Sequence, residues 1–334
     1  MRAIVILIGL AVFAASGCSS LRRTKNNQPL AGCMHDLNAI AELRELIKAK
    51  GRGESEADRA LEGLEVALTI NGMVRSSSGQ PDEEDYWCRE ENNVENFHKI
   101  VSALKANDIP STVDFVAGKW IDPVLQEQWL KAGNQLGSLT FERRKARSFS
   151  QDEFVEDLRR SERVLAPLMA DAGQRRKYFR FPRLKSLNAG DRSYVNAYLS
   201  KNGYADVPAT IDSCDWKFSE LFCKARSRGD QNCANLIKSY FTPLLVDSAW
   251  RARLLAKELT GRDVKHIMMI EATQFTCDNL DEILEFCKRM GVRFIPLDEA
   301  LADPFYKRIT PSGESEAVDV LRRVQRRQAG ESDE

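Results

Sequence analysis

Histidine is the side chain that most often holds a catalytic metal ion, and this chain has only three of them, His35, His98 and His266. A catalytic zinc site commonly uses two histidines about one helical turn apart together with a third ligand. No His-x-x-x-His pair occurs. His98 lies in a predicted helix, and His266 begins a predicted strand, away from the carboxyl end where barrel sites form. The histidines therefore give no indication of a metal-dependent hydrolytic centre.

The eight cysteines favour structural roles over catalytic ones. No Cys-x-x-Cys pair occurs, which argues against a zinc ribbon, and no Cys/His arrangement indicates a thiol active site. If Cys18 is modified, seven cysteines remain, and an odd number leaves at least one without a partner in the chain. An exported chain can keep disulfides, so we expect them among the later cysteines.

Cys18 itself follows a signal-like segment. Arg2 supplies a positive charge, residues 3–15 form an apolar run too short for a membrane span, and Ala15-Ser16-Gly17 lead into the cysteine. This pattern resembles the lipobox of bacterial lipoproteins and predicts a signal peptide over residues 1–17, lipid on Cys18 and a polar tether over residues 18–35. An ordinary cleaved signal is the alternative. Ser19, rather than Asp, favours the outer membrane.

Charge gives no reason to expect a nucleic-acid partner. The 334 residues include 49 basic and 49 acidic side chains. A net charge near zero gives no electrostatic reason to expect nucleic acid or an anionic membrane surface as the partner. The predicted attachment to a membrane therefore depends on the lipid on Cys18 alone.

Apolar segments typical of strands alternate along the chain with segments that have helical periodicity. Any functional site must be positioned by the strands and helices that these segments form. The spacing predicts about seven strands, each followed by a helix or loop, which is typical of a parallel sheet or (β/α) barrel. The predicted strands are 65–70, 111–116, 135–140, 178–181, 206–212, 266–272 and 293–296. The predicted helices are 37–50, 93–107, 123–132, 151–172, 192–202, 233–260 and 280–290. We assign residues 36–306 to the barrel and residues 307–334 to a charged tail.

The strand order suggests two candidate disulfides. Cys214 follows the strand at 206–212 and Cys277 follows the strand at 266–272, so both are expected at the same end of the barrel. Cys223 with Cys233 is the competing local pair. Connectivity cannot be deduced from spacing, and both pairs stay open.

Seven segments have the order and spacing of a known set of motifs: 66–72, 109–116, 133–140, 179–182, 212–216, 266–275 and 293–306. Together they resemble the NodB-type polysaccharide deacetylases, carbohydrate esterase family four, over roughly residues 64–306. The resemblance implies a distorted (β/α) barrel. It also implies zinc or another divalent metal held by one Asp and two His, a second Asp as general base, a later His as general acid, and an N-acetylated glycan as substrate.

Most residues that this resemblance calls for are replaced. The Asp pair is reduced to Asn71, the two ligand histidines fall at Leu139 and Arg143, and the acid histidine falls at Glu271. An amide is a poor metal ligand and cannot act as a base. We expect Leu139 to fill the core, and Arg143 to lie in a solvated charged loop. The sequence therefore predicts no metal cofactor.

Three matching residues remain: Arg180, Asp215 and Trp216. Asp215, Glu271 and Arg180 are the candidate catalytic residues of a rearranged site, and Trp216, Arg180 and Asn71 the candidate substrate-binding residues. A buried guanidinium without a carboxylate would be costly, so we expect Arg180 to pair with Glu271, or else with Asp215.

These expectations describe an envelope lipoprotein with a deacetylase-like barrel that is catalytically inactive and binds a glycan or an envelope protein. The alternative is a divergent deacetylase or other carbohydrate hydrolase that acts on cell-wall glycan. A third possibility is an assembly protein that uses the barrel as a scaffold.

Overall fold

The structure, a computed structural model, describes residues 61–73, 93–144, 150–184 and 189–307. Their eight strands are β1 (Glu65–Asn71), β2 (Val113–Val116), β3 (Gln135–Ser138), β4 (Lys177–Phe179), β5 (Tyr204–Asp206), β6 (Ile211–Asp212), β7 (His266–Glu271) and β8 (Arg293–Phe294). Their eight α-helices are α1 (Asn93–Ala106), α2 (Pro123–Lys131), α3 (Gln151–Asp171), α4 (Ala189–Lys201), α5 (Asp215–Ser227), α6 (Gln231–Thr260), α7 (Gln274–Arg289) and α8 (Leu297–Leu301).

The strands form one parallel sheet in the order β5-β4-β3-β2-β1-β7-β6, with β8 beside β1. β1 lies at the centre and pairs with β7 along six residues. On its other side, β8 pairs with the first two residues of β1 and β2 with the last three. Because all pairs are parallel, the carboxyl ends of the strands meet at one pole, which we call the mouth.

The sheet must curl, because its two outer strands are joined by a short segment. Asp206 ends β5 and Ile211 begins β6, and an extended chain covers that separation in at most about 18 Å. A flat path across the same seven strands would measure about 29 Å. The segment also bonds to the strand next to each edge, since the Val207 N–H donates to Phe179 O in β4 and the Thr210 N–H donates to Ile267 O in β7. The result is a curled half-barrel.

Alternation along each strand produces two apolar layers. Inside the curl lies a cluster that includes Ala67, Val113, Phe115, Leu139 and Tyr178. The opposite faces of the strands pack against the surrounding helices in a larger core. Helix α7 shows why these helices dock: it begins at the Thr273 side chain, which accepts from the Thr276 N–H, and its buried residues recur at helical spacing.

The predicted alternation of strands and helices is confirmed in this part of the chain, with two corrections. The expected strand at 206–212 is two short strands, β5 and β6, on opposite edges of the sheet. Pro208, which has no N–H to donate, lies in the crossing segment between them. Helix α5 and the short helix α8 were not predicted, although in α5 Phe218, Phe222 and Ala225 recur at helical spacing and are buried.

Neither predicted disulfide is formed. Cys214, Cys233 and Cys277 take part in no disulfide, so both the Cys214–Cys277 and the Cys223–Cys233 pairs are wrong. Cys223 is disulfide-bonded outside the two predicted pairs. Cys214 and Cys277 do lie in the same core, as the strand order predicted. Placement at one end of a sheet brings two cysteines near each other, but a disulfide also needs a specific geometry of the two Cβ atoms.

Several predictions fall outside the described residues. These are the signal peptide at 1–17, lipid on Cys18, the tether at 18–35, the helix at 37–50 and the charged tail from 308 onward. Within the described ranges, no helix has the length and apolar character needed to cross a membrane.

Candidate functional site

The predicted site residues converge at the mouth, where the parallel strands end. Asn71 ends β1, Glu271 ends β7, and Arg180 directly follows β4. Arg143 arrives from the loop after β3, and Asp215 begins α5 immediately beyond β6. Residues about 200 positions apart in the chain are therefore brought into direct contact.

Arg180 is buried at the centre of this group, with 1% of its surface exposed. Its Nε donates to Val207 O at 3.0 Å, Nη1 to Asn71 Oδ1 at 3.0 Å and Nη2 to Thr69 Oγ1 at 2.8 Å. The guanidinium also lies 4.1 Å from the centre of the Phe115 ring. Burial lowers the pKa of Arg180 to about 9, although the charge of Glu271 acts in the opposite direction.

The expected contact between Arg180 and Glu271 is therefore wrong, because Asn71 lies between them. The Asn71 amide accepts from Arg180 through Oδ1 and donates from Nδ2 to Glu271 Oε1 at 3.1 Å. An amide can make both contacts because it carries an acceptor and a donor, whereas a carboxylate would offer only acceptors. Asn71 is 3% exposed, so this predicted substrate-binding residue has its side chain committed to the protein.

Glu271 instead pairs with Arg143, with 2.8 Å between Nη2 and Oε2. The two side chains are 9% and 14% exposed, so the expectation of a solvated Arg143 is wrong. This ion pair could not be predicted, because burial of a charged loop residue depends on how the loop folds back over the mouth. Leu139 is buried in the inner cluster, as expected.

A fourth charged residue, Asp114, was missed as a candidate. It is buried in β2; its Oδ1 accepts from the Met73 N–H at 3.2 Å, and its Oδ2 has no hydrogen-bond partner. The pKa of Asp114 is raised to about 7, mainly by burial, with the charge of Glu271 acting in the same direction and the Met73 N–H and the charge of Arg143 acting against it. The available signal was an acid within the apolar strand Val113–Val116, where an unpaired carboxylate is costly.

Both carboxylate oxygens of Asp215 accept hydrogen bonds from residues at the mouth. Its Oδ1 accepts from the Ser213 hydroxyl at 2.8 Å and from the Trp216 N–H at 3.1 Å. Its Oδ2 accepts from the Glu271 N–H at 2.9 Å and from the Thr276 hydroxyl. Burial raises its pKa to about 7. The carboxylate thus ties the starts of α5 and α7 to the end of β7, and Trp216 beside it is half-buried.

The mouth does not suit the divalent metal that the sequence resemblance implies. The three positions expected to supply ligands hold a buried amide, an apolar side chain and a guanidinium, and the guanidinium is already paired with Glu271. In the ranges that the structure describes, no three His, Cys, Asp or Glu side chains are grouped so as to hold a metal ion. His266 lies at the opposite pole, where its Nδ1 is 3.0 Å from Thr210 Oγ1, and His98 lies on α1.

Comparison with known proteins places this geometry in context. Residues 84–207 match the family model for polysaccharide deacetylase, and no curated protein matches the chain. Similar solved structures include a family 4 carbohydrate esterase pseudoenzyme from Bacillus anthracis, with 17% identity, 72% of this chain and 66% of that chain covered, and a TM-score of 0.49. Another is a family 4 acetyl xylan esterase from Clostridium thermocellum in complex with a cobalt ion, with 17% identity, 73% and 96% coverage, and a TM-score of 0.46.

Proposed function

We propose that this chain, whose residues 84–207 match the family model for polysaccharide deacetylase, is a catalytically inactive NodB-type member and an exported lipoprotein that binds cell-envelope glycan. The observation that carries the proposal is the Arg143–Glu271 ion pair at the mouth. It occupies the positions from which the family's chemistry would need a metal ligand and a general acid.

Loss of the metal removes most of the catalytic power of such a site. A metal polarises the acetamide carbonyl and activates water, and a guanidinium already paired with a carboxylate supplies neither function well. The remaining catalytic candidates are also engaged: Arg180 makes three hydrogen bonds, and both oxygens of Asp215 accept bonds from the protein. Such a network holds the mouth in one conformation, as ligand binding requires. It is less suited to proton transfer, because its groups are already hydrogen-bonded to the protein.

The ligand that best fits the family is an N-acetylated glycan of the cell envelope, and Trp216 is the candidate contact. A half-buried indole offers an apolar face for a sugar ring. An envelope protein is the alternative partner. We propose that lipid on Cys18 attaches the chain to the outer membrane, and a Cys18→Ala variant should then fractionate away from membranes.

Binding and catalysis can be tested on the same preparation. We expect titration calorimetry to detect binding of N-acetylglucosamine oligomers or peptidoglycan fragments, with no acetate released. Trp216→Ala should weaken binding about tenfold, or about 1.4 kcal/mol. Trp250→Ala is the matched control, because Trp250 is also half-buried but lies on α6. Equal loss in both variants would contradict a binding surface at Trp216.

One observation favours a second candidate, a divergent deacetylase. Asp114 and Asp215 are both buried acids whose pKa is raised to about 7, and perturbed acids of this kind are common in active sites. Acetate release that is abolished by Asp114→Asn and is insensitive to chelators would support this enzyme and contradict the inactive binding protein.

A further inference from the structure

We propose that the guanidinium of Arg143 substitutes for a bound metal at the mouth, where it links the carboxyl ends of β1 and β7 to Asp114 in β2. Its Nη2 is 2.8 Å from Glu271 Oε2 at the end of β7. Its Nη1 would lie 3.8 Å from a Cβ placed on Gly72, just beyond β1. Asp114 in β2 is close enough to feel the charge of Arg143. One cation therefore faces three strands.

The loop that carries Arg143 is rigidly built. The Thr140 N–H donates to Ser138 Oγ at 3.1 Å, and the Arg143 N–H donates to Thr140 Oγ1 at 3.2 Å. Between them, the Phe141 and Glu142 N–H groups both donate to Asp157 Oδ2, at 3.1 and 3.0 Å. All four successive backbone donors are thus satisfied by side chains, which fixes the direction in which Arg143 leaves the backbone.

The same loop holds two residues in an unfavourable backbone conformation. Thr140 has φ of 70° and Arg143 has φ of 54°, in the left-handed region that a β-branched residue such as threonine rarely adopts. Such conformations persist only where the surroundings enforce them. Asp157 is buried on α3 and supplies two of the enforcing bonds, so it acts as a positioning residue for Arg143.

The acids of the mouth explain why a cation is needed there. Glu271 and Asp114 lie near enough for the charge of Glu271 to raise the pKa of Asp114. Without Arg143, Glu271 would keep only the neutral amide of Asn71 as a side-chain hydrogen-bond partner. The charge of Arg180 alone would then offset the mutual repulsion of the two acids. A bound metal relieves such repulsion in many proteins, and here a covalently attached charge does so.

The test compares side chains at position 143 by thermal unfolding of the purified chain. Arg143→Met keeps the aliphatic stem and removes the charge, and it should lower Tm by about 10 °C, because it leaves a largely buried carboxylate without its partner. Arg143→Lys keeps a charge and should lose clearly less. Arg163→Ala is the control, because Arg163 is 63% exposed and pairs only on the outer face of α3.

Chemical rescue separates charge from packing. In Arg143→Ala, low-millimolar guanidinium should raise Tm by filling the vacated position, and it should leave the wild type and Arg163→Ala unchanged. Chelators should not change the Tm of the wild type. The proposal is overturned if Lys and Met are equally destabilising, if guanidinium restores no stability to the Ala variant, or if chelation lowers the Tm of the wild type. If Arg143→Ala does not fold, the comparison of Lys with Met decides.

Discussion

The two poles of the barrel both carry networks of charged side chains, but they differ in burial. At the mouth, Arg143 and Glu271 are 9% and 14% exposed, and Arg180 behind them is almost completely buried. At the opposite pole, Arg253 and Asp263 are 17% and 46% exposed. Nearby, Lys265 and Arg293 share Glu65 and Glu299. Of these, Glu65 and Lys265 also line a cavity of about 120 Å³.

The difference shows that the number of ion pairs is a poor guide to what they contribute. The opposite pole has more pairs, but exposed pairs are screened by water and salt and contribute little. The mouth has one direct pair, yet each of its charges has lost water and depends on its neighbours. Substitutions at the mouth should therefore have larger effects on stability, and those effects should be coupled.

The largest expected effect is the pH dependence that Asp114 introduces. Its folded-state pKa of about 7 lies above the ordinary value of 3.8, so the folded protein holds the proton more tightly than the unfolded chain. Its contribution is therefore favourable at low pH and is lost as the pH rises towards and through 7. Asp114→Asn should gain stability relative to the wild type between pH 4 and pH 8, by up to about 4 kcal/mol.

Denaturant unfolding at several pH values would measure this gain. A difference between Asp114→Asn and the wild type that is constant with pH would contradict the assignment. His266 at the opposite pole provides the contrast, because burial lowers its pKa to about 4. Its contribution is present above the ordinary pKa of 6.5 and is lost as the pH falls towards 4, so the two poles limit stability from opposite sides.

Arg180 is expected to have the next largest effect. Arg180→Met leaves Thr69, Asn71 and the carbonyl of Val207 without their donor, and buried acceptors left in this way are costly. Relief from burying a charge offsets part of the cost, so we expect a loss of about 3 kcal/mol. Arg262→Met at the opposite pole, where the side chain is 45% exposed, is the comparison. Equal losses for the two variants would remove the distinction between the poles.

Much of the architecture could be predicted from the sequence, because burial imposes a visible pattern on it. β1 and β7 are apolar strands. The N-cap of α3 is Ser150, which forms a capping box with Glu153, and this motif can be recognised in a sequence. Four of the residues that meet at the mouth were also identifiable as candidates, since the family motifs place them at or near strand ends: Asn71, Arg180, Asp215 and Glu271.

What the sequence could not provide was the choice of partners. Whether Glu271 pairs with Arg180 or with Arg143 depends on a left-handed backbone conformation at Thr140. A glycine, the usual sequence signal for such a conformation, is absent from this position. The choice of partner also depends on Asn71, whose amide separates the two charges. Asp114 was not identified as a candidate because it lies within a strand and not at its end. The pattern of apolar residues does not show that its carboxyl group lies near the mouth.

Asn71 offers a sharper test of coupling at the mouth. In Asn71→Asp, a carboxylate replaces the amide that stands 3.1 Å from Glu271 Oε1, so two acids would face each other. The gain of a charged partner for Arg180 offsets part of the repulsion, and we expect a net loss of about 1–2 kcal/mol near pH 8. Adding Glu271→Gln should restore much of this loss, because a glutamine amide can donate to Asp at position 71. Urea unfolding of the two single variants and the double variant checks this, and strictly additive effects would contradict it.

The smallest effect is expected for Arg253 and Asp263, although their contact has the better geometry. Nε and Nη2 of Arg253 each lie 2.9 Å from a different oxygen of Asp263, whereas Arg143 contributes one such bond to Glu271. If the number of bonds decided the contribution, the Arg253 pair would be the stronger. Because Asp263 is nearly half exposed, water and salt compete for both charges, and we expect a coupling energy below about 1 kcal/mol that declines at high salt. Double-mutant cycles with Arg→Met and acid→amide substitutions measure the coupling energies of the Arg253–Asp263 and Arg143–Glu271 pairs in the same way.

The Arg143–Glu271 cycle should give the larger coupling energy and the weaker salt dependence, because its partners are largely removed from water. A larger coupling for the Arg253 pair would show that hydrogen-bond geometry, rather than burial, governs the ion pairs of this barrel.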